Sequence, residues 1–74
     1  MQDRLPCGVY EHYKGRRYLV LGVARHSETG ADLVVYVPLY EHSGPPLWVR
    51  PLEMFTEEVD DGEDGRRPRF RYAE

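Results

Sequence analysis

The sequence has one cysteine, no long apolar run and no metal-ligand spacing, and each shortage excludes a class of protein. With Cys7 alone the chain cannot form an internal disulfide, whereas small domains of oxidising compartments are usually cross-linked. The longest apolar run, residues 18–24, is much shorter than the roughly 20 residues of a membrane helix. The first ten residues lack a basic region followed by an apolar one. We therefore expect a cytoplasmic protein with no membrane segment.

A length of 74 residues allows one domain, spanning residues 1–74. A chain this short buries only about 60% of the surface that it exposes when unfolded, so its core is small and a large internal cavity is not expected. The formal net charge is −3, but six acids and no base lie in residues 57–64. Without those six acids the net charge would be +3, so a mildly basic body carries an acidic loop at about residues 57–65.

Short runs rich in aliphatic and aromatic residues, separated by glycine and proline, predict β-strands. The predicted strands are residues 9–13, 17–26, 33–40, 47–50 and 69–72. Gly15 and Gly30 fall in turns, where a positive φ is expected, and Gly22 interrupts the second strand, which indicates a bulge or a sharp bend. Pro38 cannot donate a ladder hydrogen bond, so its part of the third strand is an edge or a bulge.

One helical segment is predicted, over residues 51–59. Pro51 fits a first helical position, and Leu52, Phe55 and Val59 recur at a spacing that places them on one face. Residues 60–68 are polar and predict a loop. These elements predict an all-β fold, namely a small SH3-like five-stranded antiparallel barrel with one short helical or 3₁₀ turn. A split β-sheet with a single helix on one face is the alternative.

The third strand divides its residues between two apolar faces. Leu33, Val35, Val37 and Leu39 form an aliphatic face, and Val34, Tyr36, Pro38 and Tyr40 form the other, aromatic face. On the next strand Trp48 and Arg50 alternate with aliphatic residues in the same way. Tyr36, Tyr40, Trp48 and Arg50 are therefore the first candidate binding residues, because exposed rings beside a guanidinium suit stacked bases or proline rings. The structural alternative is that the rings complete a thin core.

A second candidate is the basic turn at residues 12–17, where His12, Lys14, Arg16 and Arg17 could contact phosphates without reading a base sequence. Exposed turns of this composition are also common on proteins with no such ligand. A further basic group, comprising Arg66, Arg67, Arg69 and Arg71, follows the acidic segment, whose carboxylates can neutralise it.

Metal, cofactor and catalytic sites are not predicted. His12, His26 and His42 show no recognised ligand spacing with one another or with Cys7, so the histidines at the strand ends are expected to make hydrogen bonds. The acidic segment lacks the ligand pattern of a calcium loop. No nucleophile motif and no phosphate-binding glycine loop is present.

Five segments together resemble a family of small bacterial proteins defined only as a domain of unknown function, DUF1653. They are GxYxHYKG at residues 8–15, YLVLGVARHSET at 18–29, LVVYVPLY at 33–40, LWVRPLEMF at 47–55 and PRF at 68–70. The acidic loop is the part least like the family. The resemblance implies a compact, barrel-like bacterial cytoplasmic protein and implies no activity, cofactor or catalytic residue.

These observations favour a noncatalytic binding module. Aromatic rings interleaved with arginines favour RNA or another nucleic acid as the partner. The alternative is a protein–protein or self-association module that takes a peptide in the aromatic groove, and a small enzyme is the third hypothesis. The first two differ in salt dependence, because phosphate binding weakens steeply with salt and apolar docking does not.

Overall fold

The structure is a computed structural model that describes residues 5–60, 62 and 65–74. Within these residues the chain forms, in order, β1 (Gly8–His12), β2 (Arg17–Arg25), β3 (Asp32–Pro38), β4 (Trp48–Pro51), α1 (Leu52–Phe55), β5 (Glu58–Asp60), β6 (Arg66–Pro68) and β7 (Phe70–Tyr72). No helix in the described part of the chain is long and apolar enough to cross a membrane.

Five of the strands form one antiparallel sheet, in the order β4-β3-β2-β1-β7. The predicted mainly-β fold with a five-stranded antiparallel sheet and one short helix is confirmed. The sheet does not close, because among the described residues β4 and β7 are its two edges and do not pair with each other. The closed barrel that we expected is therefore replaced by an open, curved sheet with one helix against it, which is closer to the alternative prediction.

A bulge in β2 bends this sheet. Val20 is opposite Tyr36, but the next paired residue of β2 is Gly22, opposite Val35, so Leu21 is an extra residue on that strand. A bulge increases the local twist and bends its strand, which curves the sheet around its inner face. The irregularity predicted at Gly22 is confirmed, as are the positive φ angles of Gly15 and Gly30 in the hairpin turns, at 108° and 79°.

The core lies entirely on this inner face. Its members are Tyr10, Tyr18, Val20, Val34, Tyr36, Phe55 and Phe70. Helix α1 covers it by inserting Phe55, whose ring stacks on Phe70 with centroids 4.0 Å apart. Aromatic side chains each bury about 150–250 Å², so a few of them supply most of the apolar burial that a one-sided core of this size can have.

The segment after β4 differs from the prediction in two places. Helix α1 ends at Phe55, where the backbone N–H and the hydroxyl of Thr56 both donate to the carbonyl of Leu52. Val59, expected on the helix, lies in β5 instead. The region 60–68, predicted to be a loop, includes β6, which pairs with β5 as a separate two-stranded sheet. An ion pair between Glu58 and Arg66 supports this hairpin, as opposite charges on paired strands do.

Candidate functional site

The aromatic face of β3 points into the core and not into solvent. Tyr36 is only 2% exposed, so its ring belongs to the core and is not the open docking platform that we expected. Tyr40 and Trp48 are half-buried and pack against the rim of the core. The alternative prediction, that these rings complete a thin core, is therefore correct for Tyr36. Tyr40 and Trp48 each keep part of their surface in solvent.

Tyr18 lies at the centre of this set of rings. Its ring centroid is 5.4 Å from that of Tyr36, 5.6 Å from those of Tyr40 and Phe70, and 6.3 Å from that of Trp48. Its hydroxyl is 3.1 Å from that of Tyr40. Burial, together with this hydrogen bond, raises the pKa of Tyr18 to about 12, so the phenol is neutral at physiological pH. These rings pack against one another and support the side chains at the edge of the core, which we call the rim.

The side chain of Arg50 lies across this group of packed rings. Its partner on β3 is the buried Val34, so its side chain lies on the inner face. The guanidinium group is 5.5 Å from the ring centroid of Phe70, and Nε donates to the hydroxyl of Tyr36 at 3.3 Å. An arginine that is half-buried and held by a phenol and a ring face is fixed in direction, with its two Nη groups left for another acceptor.

The turn between β1 and β2 adds two more cations to the same rim. The guanidinium group of Arg16 lies over the ring of Tyr40, 4.4 Å from its centroid, in a cation–π contact. Lys14 is exposed and its ammonium group is 5.8 Å from the centroid of Tyr13. The contact of Arg16 places the basic turn beside the partly exposed ring of Tyr40.

Arg17, which we predicted to belong to the same turn site, lies on the other side of the sheet. It pairs across β1 with Glu11, and its guanidinium group is 3.7 Å from the Glu11 carboxylate and 3.8 Å from that of Glu74. The strand alternation that sends Tyr18 inward sends Arg17 outward. Arg17 is therefore separated from Lys14 and Arg16, although the three are neighbours in sequence.

His12, the last residue of β1, lies at one end of the rim. Its Nδ1 accepts the backbone N–H of Lys14 at 3.1 Å, which assigns the proton of the neutral ring to Nε2. Burial lowers the pKa of His12, and the positive charges of Arg50, Arg69 and Lys14 lower it further. Arg50, Arg69 and Lys14 thus all lie near enough to disfavour a charge on His12.

We call the set His12, Lys14, Arg16, Tyr40, Trp48 and Arg50 the aromatic-basic surface. In residues 5–60, 62 and 65–74, no carboxylate lies within ion-pairing distance of any of its three permanent cations. Tyr36, immediately beneath this surface, accepts a hydrogen bond from Arg50. Its own hydroxyl hydrogen has no acceptor among the same residues. The surface therefore presents more hydrogen-bond donors than the described chain satisfies.

Two residues that contact this surface were not among the predicted site residues. Tyr18 could have been found from the alternation of β2, which places it on the same face as Val20. His42 gives no sequence signal, because it lies in an irregular segment. Its Nδ1 is 3.0 Å from the carbonyl oxygen of Tyr40, and its ring is perpendicular to Trp48 with centroids 5.7 Å apart. It borders the exposed part of the tryptophan.

The second basic group is largely neutralised, as the sequence suggested it could be. Arg66 pairs with Glu58, Arg69 with Glu57, and Arg71 with Glu11. The last strand, predicted at residues 69–72, begins at Phe70 in the structure, so Arg69 lies just before β7. Arg69 is notable only in that its Nε is buried with no hydrogen-bond partner. This group does not supply free cations comparable to those of the aromatic-basic surface.

A cleft of about 260 Å³ lies beside the aromatic-basic surface rather than over it. Its lining consists of Glu11, His12, Tyr13, Arg67, Pro68 and Arg71. The Glu11 carboxylate in it is already 3.7 Å from Arg17 and 3.5 Å from Arg71. Because that charge is engaged within the chain, we place the candidate site on the rim and not in this cleft.

In the part of the chain that the structure describes, the histidines do not belong to any group of three side chains that could hold a metal ion. Nδ1 of His26 accepts the backbone N–H groups of Glu28 and Thr29, at 3.1 and 3.3 Å. The prediction that His12 and His26 make hydrogen bonds at strand ends is confirmed. Cys7 is a free, exposed thiol.

Residues 8–72 match the family model described as Protein of unknown function (DUF1653). The chain belongs to the DUF1653 family. Its fold is similar to the crystal structure of a DUF1653 protein from Bordetella bronchiseptica, with a TM-score of 0.88 and 47% sequence identity over 95% of this chain and 88% of that one. None of the curated proteins matches this chain. Membership of DUF1653 thus accounts for the fold, and the function has to be argued from the site.

Proposed function

We propose that this DUF1653 protein binds single-stranded nucleic acid, with RNA as the expected form, at the aromatic-basic surface. In this proposal Lys14, Arg16 and Arg50 contact phosphates, while the exposed parts of Tyr40 and Trp48 stack on bases. Proteins that bind single strands combine a basic path for the backbone with aromatic platforms for the bases. The binding is noncatalytic.

The observation that carries the proposal is the surplus of donors around Arg50. This side chain is half-buried, yet only its Nε has a hydrogen-bond partner in the described chain, the hydroxyl of Tyr36. Desolvating a guanidinium group without an anion is costly. With the hydroxyl hydrogen of Tyr36 also unused, the arrangement favours a ligand that supplies oxygen acceptors and negative charge, as a phosphate does.

The formal net charge of −3 does not oppose this assignment. The acids that produce it are concentrated in residues 57–64, and two of them, Glu57 and Glu58, are paired with Arg69 and Arg66. No carboxylate of the described residues is paired with the cations of the aromatic-basic surface. A local positive potential determines where a polyanion binds, and it persists despite a negative total.

A peptide partner in an aromatic groove has less support. Such a groove requires open ring faces, whereas Tyr10, Tyr18 and Tyr36 are buried and packed edge to face with other rings. At the rim of the core Tyr40 and Trp48 remain partly accessible, and the guanidinium group of Arg16 lies over the ring of Tyr40. The accessible surface is a short basic rim, not a groove lined by rings.

The test is fluorescence anisotropy with a labelled single-stranded RNA of about 12 nucleotides, within the range of site sizes for single-strand binders. For single strands log K falls by about 0.7 per phosphate contact for each unit of log salt. Three contacts therefore predict a roughly 20-fold loss of affinity between about 50 and 200 mM salt. Arg50→Gln should weaken binding at low salt and reduce that loss to about sevenfold, since one contact is removed.

Arg25→Gln is the matched control, because it removes the same charge from an exposed arginine at the far end of β2. It should leave both the affinity and the salt dependence close to those of the wild type. The proposal is wrong if no binding is detected at about 50 mM salt. It is also wrong if Arg25→Gln and Arg50→Gln weaken binding equally, since the charge would then act without regard to position.

A further inference from the structure

The outer face of the sheet is aliphatic and partly exposed. The strand registers place its side chains in adjacent rows. Val9, Leu19 and Val37 form one row, and Val35 with Val49 form the next, where β2 supplies Gly22 opposite Val35 and the extra residue Leu21 beside it. We call the six valine and leucine residues of this set the aliphatic face. They alternate with the inward row that contains Val20, Tyr36 and Trp48.

This face remains in contact with solvent. Val49 is 57% exposed and Leu21, the extra residue of the β2 bulge, is 48% exposed. Val9, Leu19, Val35 and Val37 are half-buried. An antiparallel sheet with one covered face normally presents polar residues on the other. Aliphatic residues here, in place of polar ones, indicate that a second layer covers them.

The size of the face suits a weak interface. It spans three interstrand spacings of about 4.8 Å and, between its two rows, two residue rises of about 3.3 Å, which, widened by a side-chain radius of about 3 Å on each side, gives roughly 250 Å² in projection. Because side chains protrude, two such faces in contact bury on the order of 500 Å² of accessible surface or somewhat more, which is below the roughly 1,200 Å² of stable specific interfaces and is consistent with a weak dimer only.

We propose that the occupant is a second copy of this chain, stacked face to face so that two sheets about 10 Å apart form a sandwich. The charged groups that border the face point to this partner. Glu11 is already paired with Arg17 and Arg71 within one copy, so stacking two copies brings no unpaired charges together. The face offers neither rings nor unpaired cations, so a polyanion has no partner there. A two-fold dimer brings the same surface of both copies together, so an aliphatic face meets another aliphatic face.

This inference is independent of the nucleic-acid proposal, because it uses the opposite side of the sheet. Sedimentation equilibrium over about 10 μM to 1 mM tests it in a range where weak dimers dissociate. The molar mass should rise with concentration from the 8.7 kDa of one chain towards twice that value. Val49→Lys and Leu21→Lys should each raise the dissociation constant more than tenfold, because each places a charge in an apolar interface.

Met54→Lys is the matched control, since Met54 is 42% exposed but lies on α1, on the inner side of the sheet. It should leave the dimer unchanged. Circular dichroism establishes that each variant is folded, and if Val49→Lys is not, Leu21→Lys decides. A mass of 8.7 kDa at every concentration overturns the proposal. So does an effect of Met54→Lys as large as that of the substitutions on the aliphatic face, because the copies would then meet elsewhere.

Discussion

Arg50 shows why the candidate site is a property of a few side chains rather than of overall composition. The sequence has ten lysine and arginine residues, but most of the arginines with a defined contact are paired with carboxylates. Arg50 instead contacts a phenol and a ring. Sequence reasoning identified it because it shares a strand face with Trp48. That reasoning could not show that Tyr36 would orient it, because this contact joins residues of two paired strands.

His12 makes the stability of the fold depend on pH. Its pKa in the folded protein is lower than the usual value of 6.5, through burial and through the charges of Arg50, Arg69 and Lys14. The unfolded chain therefore binds a proton more readily in this range, and the stability of the folded state decreases as pH falls below about 6.5. Above that value both states have a neutral imidazole, and this contribution is fully present.

The measurement is the free energy of unfolding by urea at pH of about 7.5 and about 5.5, on either side of the unperturbed histidine pKa. His12→Asn keeps an acceptor for the Lys14 N–H and removes the titrating group, so it should lose less stability on acidification than the wild type. An unchanged pH response in His12→Asn would show that the cations around it do not act on its charge.

At the scale of elements, strand β3 shows what alternation can and cannot predict. The division into an aliphatic and an aromatic face is apparent from the sequence and is present in the structure. Which face is inward is not apparent, because both are apolar. The core has only α1 to cover it, so large rings such as those of Tyr36 and Phe55 are needed to fill the space, while the smaller aliphatic residues lie on the outer face.

The hairpin of β5 and β6 was missed for a related reason. Each strand has three residues and neither shows apolar alternation. Its cross-strand contacts, such as Glu58 with Arg66, join residues of opposite charge on either side of a turn. A polar segment of this kind resembles a loop in composition, and only the pairing distinguishes it.

The chain terminus is tied to β1 through Gly8, and this contact can be tested. A Cβ at Gly8 would lie 2.6 Å from the carbonyl oxygen of Glu74, in a residue whose φ is 140°. That oxygen accepts the backbone N–H of Val9 at 2.9 Å. Gly8→Ala should therefore displace the end of the chain as well as strain the backbone, at a cost of about 2–4 kcal/mol in the free energy of unfolding.

Gly15→Ala separates the two effects. Gly15 also has a positive φ, at 108°, but a Cβ there meets nothing within 4 Å. This variant should lose only about 1 kcal/mol, the cost of the backbone conformation. Urea denaturation compares the two variants directly. Equal losses would mean that the contact with Glu74 contributes nothing.

At the scale of the whole molecule, the sequence predicted the number of strands in the main sheet and their antiparallel arrangement, but not that the sheet stays open. Closure depends on whether the edge strands meet, and that follows from twist and curvature accumulated over all five strands. The bulge between Val20 and Gly22 was apparent as a glycine within a strand. The total curvature that it produces was not.

An open sheet gives this small protein two different surfaces. The inner face carries the core and, at its rim, the aromatic-basic surface. The outer face carries the aliphatic face. The two proposals use opposite sides, so a dimer formed through the aliphatic face would hold two aromatic-basic surfaces in one particle. Two linked sites bind a long polyanion more tightly than one, provided that the ligand can span both.

The most direct test of the account is to map RNA binding by NMR on the isotopically labelled protein. Adding single-stranded RNA should shift the Nε1–H resonance of Trp48 and the backbone amides of Lys14 and Arg16. The methyl resonances of Leu21 and Val35, on the opposite side of the sheet, should not move. If the Trp48 and turn resonances stay in place while RNA binds, or if the methyl groups of the aliphatic face shift instead, the aromatic-basic surface is not the binding site.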